Sequence, residues 1–128
     1  MIVPVLNKDI HVYFPSFVMH RKLEGAAALN PALAAYCRTL RSQAPGVQKS
    51  NYGGWQSDPT LFSSPEPCVQ QLKTAIVQAV RDITATTFAL SPASFAFEDR
   101  LAAWVNINET GDYNALHNHF AATWSGTY

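Results

Sequence analysis

The side chains most able to do chemistry gather near one end of the sequence, in "GDYNALHNHFAATWSGTY", where His117 and His119 stand two positions apart. On a strand, residues i and i+2 leave the same face about 6.5–7 Å apart along the chain. Both imidazoles can then turn toward one ion while Asn118 points away. Imidazole nitrogen suits Fe, Zn, Cu or Ni, so the chemistry indicated is metal binding. The spacing by itself is a weak signal, and a pair of hydrogen-bonded surface histidines is the competing reading.

What must position the pair is the segment before it. "RLAAWVNINETGDYNALHNHF" alternates apolar and polar residues on either side of "ETGD", the pattern of two antiparallel strands joined by a glycine-containing turn. Centring the turn on Thr110 and Gly111 pairs Val105 with Leu116 and Ile107 with Asn114 on one face. Trp104 then opposes His117 and Asn106 opposes Ala115 on the other. That second face gathers Trp104, Asn106, Asn108, His117 and His119 into a polar, aromatic-lined candidate site. Glu109 and Asp112 flank the turn at the far end of the hairpin from His119, which favours a solvated role over ligation.

Upstream, "IVPVL" and "IHVYFP" read as one or two strands rich in β-formers. In "NPALAAYCRTLRSQAPG", Asn30 as cap, Pro31 at the first helical position and Leu33, Tyr36, Cys37 and Leu40 at helical spacing predict a helix stopped by Pro45 and Gly46. A second helix is predicted over "SPEPCVQQLKTAIVQAVRDITATTF", with Val69, Leu72, Ile76, Val80 and Ile83 forming a core-facing stripe. Between them "VQKSNYGGWQSDPTLF" reads as an ordered loop or short hairpin, with Gly53 and Gly54 in a tight turn and Trp55 buried. His11 and His20 are isolated from the pair and read as surface or strand-end residues.

Composition bounds the class. The 128 residues fit one domain, 48 % are apolar, and nine basic side chains balance nine acidic ones, so nothing in the charge attracts a nucleic acid or an anionic membrane. Cys37 and Cys68 lie far apart, outside any C-x-x-C pattern, and read as buried reduced thiols. The first residues lack the apolar core of a signal peptide, and no apolar run approaches the roughly 20 residues a membrane span requires. These features lead to the expectation of a cytoplasmic protein.

A family resemblance rests on two segments. "KSNYGGWQSD" together with "AWVNINETGDYNALHNHFAATWSGTY" resembles the 2-oxoglutarate- and Fe(II)-dependent oxygenases in which a Gly-Gly-Trp segment precedes a His-x-His element and a Ser-Gly-x-Tyr strand. The resemblance covers roughly residues 47 to 128. It implies a double-stranded β-helix, or jelly-roll, holding Fe(II) at its mouth, with His117 as the first metal ligand. His119 stands where most relatives place Asp, so it is either a ligand or a side chain that orients water or substrate beside the metal, with ligation the expectation. Asn106 and Asn108 fall where relatives present polar groups to 2-oxoglutarate, the alternative being that they serve the turn and a neighbouring strand. Trp104 is expected as a pocket wall.

The fold class expected is therefore α+β, mainly β: an incomplete jelly-roll preceded by two helices. Residues 1–92 would supply the N-terminal strands and helices, and residues 93–128 the first core strands of a single partial domain. "TWSGTY" is the last of those strands. The distal ligand and the basic residue for 2-oxoglutarate are expected beyond Tyr128, so the chain reads as an N-terminal fragment. The function expected is a dioxygenase of unread substrate, with Fe(II) and 2-oxoglutarate as cofactor and small-molecule cosubstrate, no membrane or nucleic-acid partner indicated, and a homodimer left open. Two other readings stay in play, a non-catalytic binding module and a cupin-like histidine–metal enzyme that does not use 2-oxoglutarate.

Overall fold

The structure is a computed structural model that describes residues 16–91, 95–96 and 100–128. Among these residues the chain forms helix α1 (Ala26–Gln43), strands β1 (Asn51–Tyr52) and β2 (Trp55–Gln56), a 3-10 turn (Leu61–Ser63), helix α2 (Pro67–Thr87) and strands β3 (Asn106–Ile107) and β4 (Tyr113–Asn114). Two helices and two small antiparallel ladders make a mixed α+β arrangement. The expected strands over "IVPVL" and "IHVYFP", and His11, lie outside the described residues.

Helix α1 begins a turn earlier than its sequence signals suggest. Gly25, at φ +74°, takes the left-handed conformation that glycine adopts at least cost. Its carbonyl accepts from the amides of Ala28 and Leu29 at 3.0 and 3.1 Å. Asn30 is therefore not a cap and Pro31 lies inside the helix. What offsets the backbone bond missing at Pro31 is Leu29, only 3 % exposed. Burying a leucine is worth about 1.5–3 kcal/mol, and starting at Ala26, among three strong helix formers, stacks Leu29 one turn from buried Leu33.

Helix α2 opens with Pro67 at a position where a missing N–H costs nothing. Val69 and Leu72 of the expected stripe are buried, whereas Ile76, Val80 and Ile83 are half-buried. The helix ends in a Schellman arrangement: Leu90 N–H donates to the Ala85 carbonyl at 2.9 Å across Ala89, which sits at φ +51° where glycine is usual. Ala89→Gly should remove that strain and raise stability by about 0.5–1 kcal/mol, read as an increased urea midpoint at unchanged m-value.

The two helices and the 3-10 turn enclose one core of Leu29, Leu33, Phe62, Val69 and Leu72, with Tyr36, Cys68, Leu101 and Ala103 packed against it. Tyr36 Oη donates to Ser64 Oγ at 2.8 Å, tying α1 to the entrance of α2. Cys37 and Cys68 are free and only half-buried, not fully buried as the sequence suggests. Burial pushes the Cys37 thiol above its ordinary range, and neighbouring Cys68 adds to that.

The ladders depart from the expected hairpin. β4 pairs with β1, matching Asn51 to Asn114 and Tyr52 to Tyr113, and β3 pairs with β2, matching Trp55 to Ile107 and Gln56 to Asn106. Residues 106–107 and 113–114 thus lie along one partner segment and do not pair with each other. "ETGD" still makes a tight turn: Asp112 N–H donates to the Glu109 carbonyl at 3.0 Å, and Asp112 Oδ2 accepts from Glu109 N–H at 2.8 Å. That turn loops out opposite Gly53 and Gly54. Two contacts favour this pairing, the parallel stack of cross-strand Tyr52 and Tyr113, with centroids 5.0 Å apart, and the burial of Trp55. No side chain at Gly53 or Gly54 would clear Asp112 or Asn108 without displacing them.

Candidate functional site

The pairing moves several expected site residues. Val105 bonds to Ser57 instead of facing Leu116: Ser57 N–H donates to the Val105 carbonyl at 3.0 Å and Val105 N–H to Ser57 Oγ at 2.9 Å. Leu116 is fully exposed. Asn106, also exposed, sits in the ladder opposite Gln56 and not opposite Ala115. Asn108 donates from Nδ2 to Asn114 Oδ1 at 3.4 Å. Both asparagines serve the ladders and the loop they frame, and no described hydrogen bond or ring contact joins either to the histidines.

The histidine pair itself follows β4 in irregular backbone, not on a regular strand. Ala115 N–H donates to the Ser50 carbonyl at 2.7 Å, which carries the ladder one residue past β4. Beyond it Ala122 N–H donates to the His119 carbonyl at 2.9 Å and closes a turn around Phe120 and Ala121. Residues 123–128, expected as a strand, carry none. They are anchored through side chains instead: Trp124 Nε1 donates to Thr84 Oγ1 at 2.9 Å and Tyr128 Oη to Asn30 Oδ1 at 2.6 Å.

Within this frame three of the expected residues come together. The rings of His117 and His119 lie with centroids 4.8 Å apart and planes at 76°. Trp104 stands against His119 with centroids 5.6 Å apart. His117 Nδ1 lies 2.8 Å from the Ala115 carbonyl oxygen. A carbonyl only accepts, so Nδ1 carries the proton and the lone pair of the neutral ring belongs to Nε2. Both rings are solvent-exposed, which leaves Nε2 of His117 free of any competing burial cost.

The ring spacing can be tested against a metal. An ion about 2.0–2.1 Å from each nitrogen stands roughly 3.2 Å from each ring centroid, so two imidazoles opening at about 90–110° have centroids about 4.5–5.2 Å apart. The observed 4.8 Å falls within that range and equally within the roughly 4.5–7 Å of ordinary edge-to-face ring packing, so the spacing is compatible with a shared ion and does not by itself mark one. The donor set fits a first-row transition ion through two imidazoles. Among the described residues no third His, Cys, Asp or Glu joins them in one cluster.

The neighbouring carboxylates are engaged elsewhere. Glu109 Oε1 accepts from Arg41 Nη2 at 2.9 Å, and Asp112 clamps its own turn. His20 is exposed and apart from the pair. Sequence reasoning missed the partners of the ladder, Asn51 and Ser57. Asn51 is buried, accepts from Lys49 N–H at 2.8 Å and donates to the Gly54 carbonyl at 3.1 Å. An Asn two residues before Gly-Gly is the one signal that could have marked this turn.

Comparison with known proteins finds no family model, no curated protein and no solved structure that matches this chain. Among the described residues no helix is long and apolar enough to cross a membrane.

Proposed function

We propose that the His117–His119 element is the metal-holding edge of an Fe(II)- and 2-oxoglutarate-dependent dioxygenase, and that the last third of the chain belongs to a double-stranded β-helix. The observation that carries this reading is the His117 Nδ1 contact with the Ala115 carbonyl. Metal-ligating histidines characteristically give their second ring N–H to such an acceptor, which fixes the tautomer and makes the other nitrogen more basic. When bound, iron would supply the Lewis acidity and redox capacity for oxidising a C–H bond at the expense of 2-oxoglutarate.

The chain's own contributions are more modest. His117 would bind through Nε2 with its ring direction already set by Ala115. His119 would take the second position, its ring steadied by the indole of Trp104. Asn106, which pairs with Gln56 through its backbone, and Asn108, whose amide donates to Asn114 Oδ1, keep the role proposed for them only if 2-oxoglutarate recruits their side-chain amides. The imidazole at position 119, where a carboxylate is the commoner ligand, favours one alternative, a cupin-like histidine–metal enzyme that does not use 2-oxoglutarate.

Titration with Co(II), a spectroscopic stand-in for Fe(II), tests the reading. The His117→Ala, His119→Ala double variant should bind at least about 100-fold more weakly than the wild-type chain, since loss of mere orienting partners already costs 10–100-fold. Unchanged affinity would overturn the metal site. Linkage requires that 2-oxoglutarate tighten metal binding if it joins the ion. Wild-type Co(II) affinity indifferent to 2-oxoglutarate would remove the dioxygenase and leave the cupin-like enzyme.

A further inference from the structure

The chain's two cysteines stand far apart in sequence, and the fold brings both to the interface between α1 and α2. Cys37 lies one helical turn past Leu33, on the side of α1 that Leu33 buries in the core, and next to Tyr36. Cys68 lies one turn before Leu72, on the side of α2 that Leu72 buries, and packs against the same core. The Tyr36 Oη to Ser64 Oγ bond at 2.8 Å sets the two at one level, because it runs from the residue beside Cys37 to the entrance of α2 just ahead of Cys68.

Neither sulfur is in a disulfide and each residue is half-buried, so both help to build the interface and both stay within reach of a small reagent. Burial and, after it, the neighbouring Cys68 hold the Cys37 thiol above its ordinary range, which places the two sulfurs near enough for ionisation of one to oppose ionisation of the other. With two cysteines in the sequence only one intramolecular pairing exists.

We propose that Cys37 and Cys68 are a reversible redox pair, joined in a disulfide by a low-molecular-weight disulfide such as oxidised glutathione and reopened by excess thiol. One protein thiolate attacks a sulfur of oxidised glutathione, forming a mixed disulfide and expelling one glutathione thiolate. The second protein thiolate then attacks the protein-side sulfur, forming the Cys37–Cys68 bond and expelling the second glutathione. Two protein thiols are oxidised, one glutathione disulfide is reduced to two thiols, and the two protons released by the protein end on glutathione. The new bond closes a loop of roughly 30 residues that contains β1, β2 and the 3-10 turn, so it fastens α1 to the start of α2 around the segment that pairs with β3 and β4. This pairing is independent of the metal reading.

The test is incubation of the folded full chain with oxidised glutathione, followed by alkylation, intact mass and non-reducing electrophoresis. The wild-type chain should lose two hydrogens, take up no alkylating group, stay monomeric and yield one cross-linked Cys37–Cys68 peptide on digestion. Cys37→Ser and Cys68→Ser, each lacking the resolving thiol, should stop at the mixed disulfide. The urea midpoint of the wild-type chain should rise on oxidation, because the closed loop restricts the unfolded chain, and return when excess reduced glutathione reopens the bond. A wild-type chain that keeps two alkylatable thiols, accumulates the mixed disulfide or forms disulfide-linked dimers would overturn the pair. A bond that excess reduced glutathione fails to open would overturn its reversibility, and a midpoint unchanged or lowered by oxidation would overturn the fastening of α1 to α2.

Discussion

Phe62→Ala is expected to lower stability by about 3–5 kcal/mol, roughly a fifth or more of what a domain of ordinary stability possesses. Phe62 is 8 % exposed and, among the described residues, is the single aromatic side chain in the buried cluster with Leu29, Leu33, Val69 and Leu72. It stands in the 3-10 turn, so its ring is the part of the ladder-to-helix connection that enters the space between α1 and α2. Truncation removes contacts to both helices at once, and five buried residues have little capacity to collapse around the cavity. Phe62→Leu keeps most of the volume and should cost less than about 2 kcal/mol. Urea unfolding followed by far-ultraviolet circular dichroism gives both values, and a loss under 1 kcal/mol in Phe62→Ala would mean the core does not depend on this ring.

The helices were legible because their signals are local. The stripe from Val69 to Ile83 repeats at the helical period, so the position and approximate length of α2 follow from neighbouring residues, although its start at Pro67 lies inside the broader "SPEP" opening. The start of α1 was not legible for the same reason. Asn30–Pro31 is a strong local signal, and what overrides it is the burial of Leu29 against residues more than thirty positions away. The end of α2 hides a comparable exception, since Ala89 occupies a left-handed position that sequence reasoning assigns to glycine.

The candidate site was legible in its residue types and not in its register. "ETGD" was correctly read as a tight turn, and a turn between two alternating segments suggests a hairpin. The chain instead gives each segment to "NYGGWQ", because Tyr52 stacks on Tyr113 and Trp55 pairs with Ile107. No local pattern compares a hairpin with a partner fifty residues upstream. Trp104, His117 and His119 nevertheless meet, since the His-x-His spacing brings two rings together with or without a regular strand. Asn106 and Asn108 depended on the register and moved with it.

Trp55→Ala should cost about 3–5 kcal/mol, and its effect should reach the histidines. Trp55 is 9 % exposed. Its Nε1 donates to the Ala44 carbonyl at 2.9 Å, just past the end of α1, while its backbone pairs with Ile107. One residue therefore joins the helix to the strand that continues from Trp104. Gly46 shows how closely this is built: a Cβ there would stand 2.6 Å from both Trp55 Nε1 and the Gln56 carbonyl oxygen, and Val47 N–H donates to that same oxygen at 2.8 Å. Losing the indole frees the Ala44 end from the ladder, and with it the placement of Trp104 against His119. Trp55→Phe separates the two contributions, keeping most of the packing and losing the hydrogen bond at about 0.5–1.5 kcal/mol. Urea midpoints should rank wild type, Trp55→Phe and Trp55→Ala in descending order, and Co(II) affinity should fall in the same order if the ladder positions the histidine pair. Metal affinity in a folded Trp55→Ala chain equal to that of wild type would show that His117 and His119 hold their geometry through the Ala115 carbonyl and their own turn, without the ladder behind them.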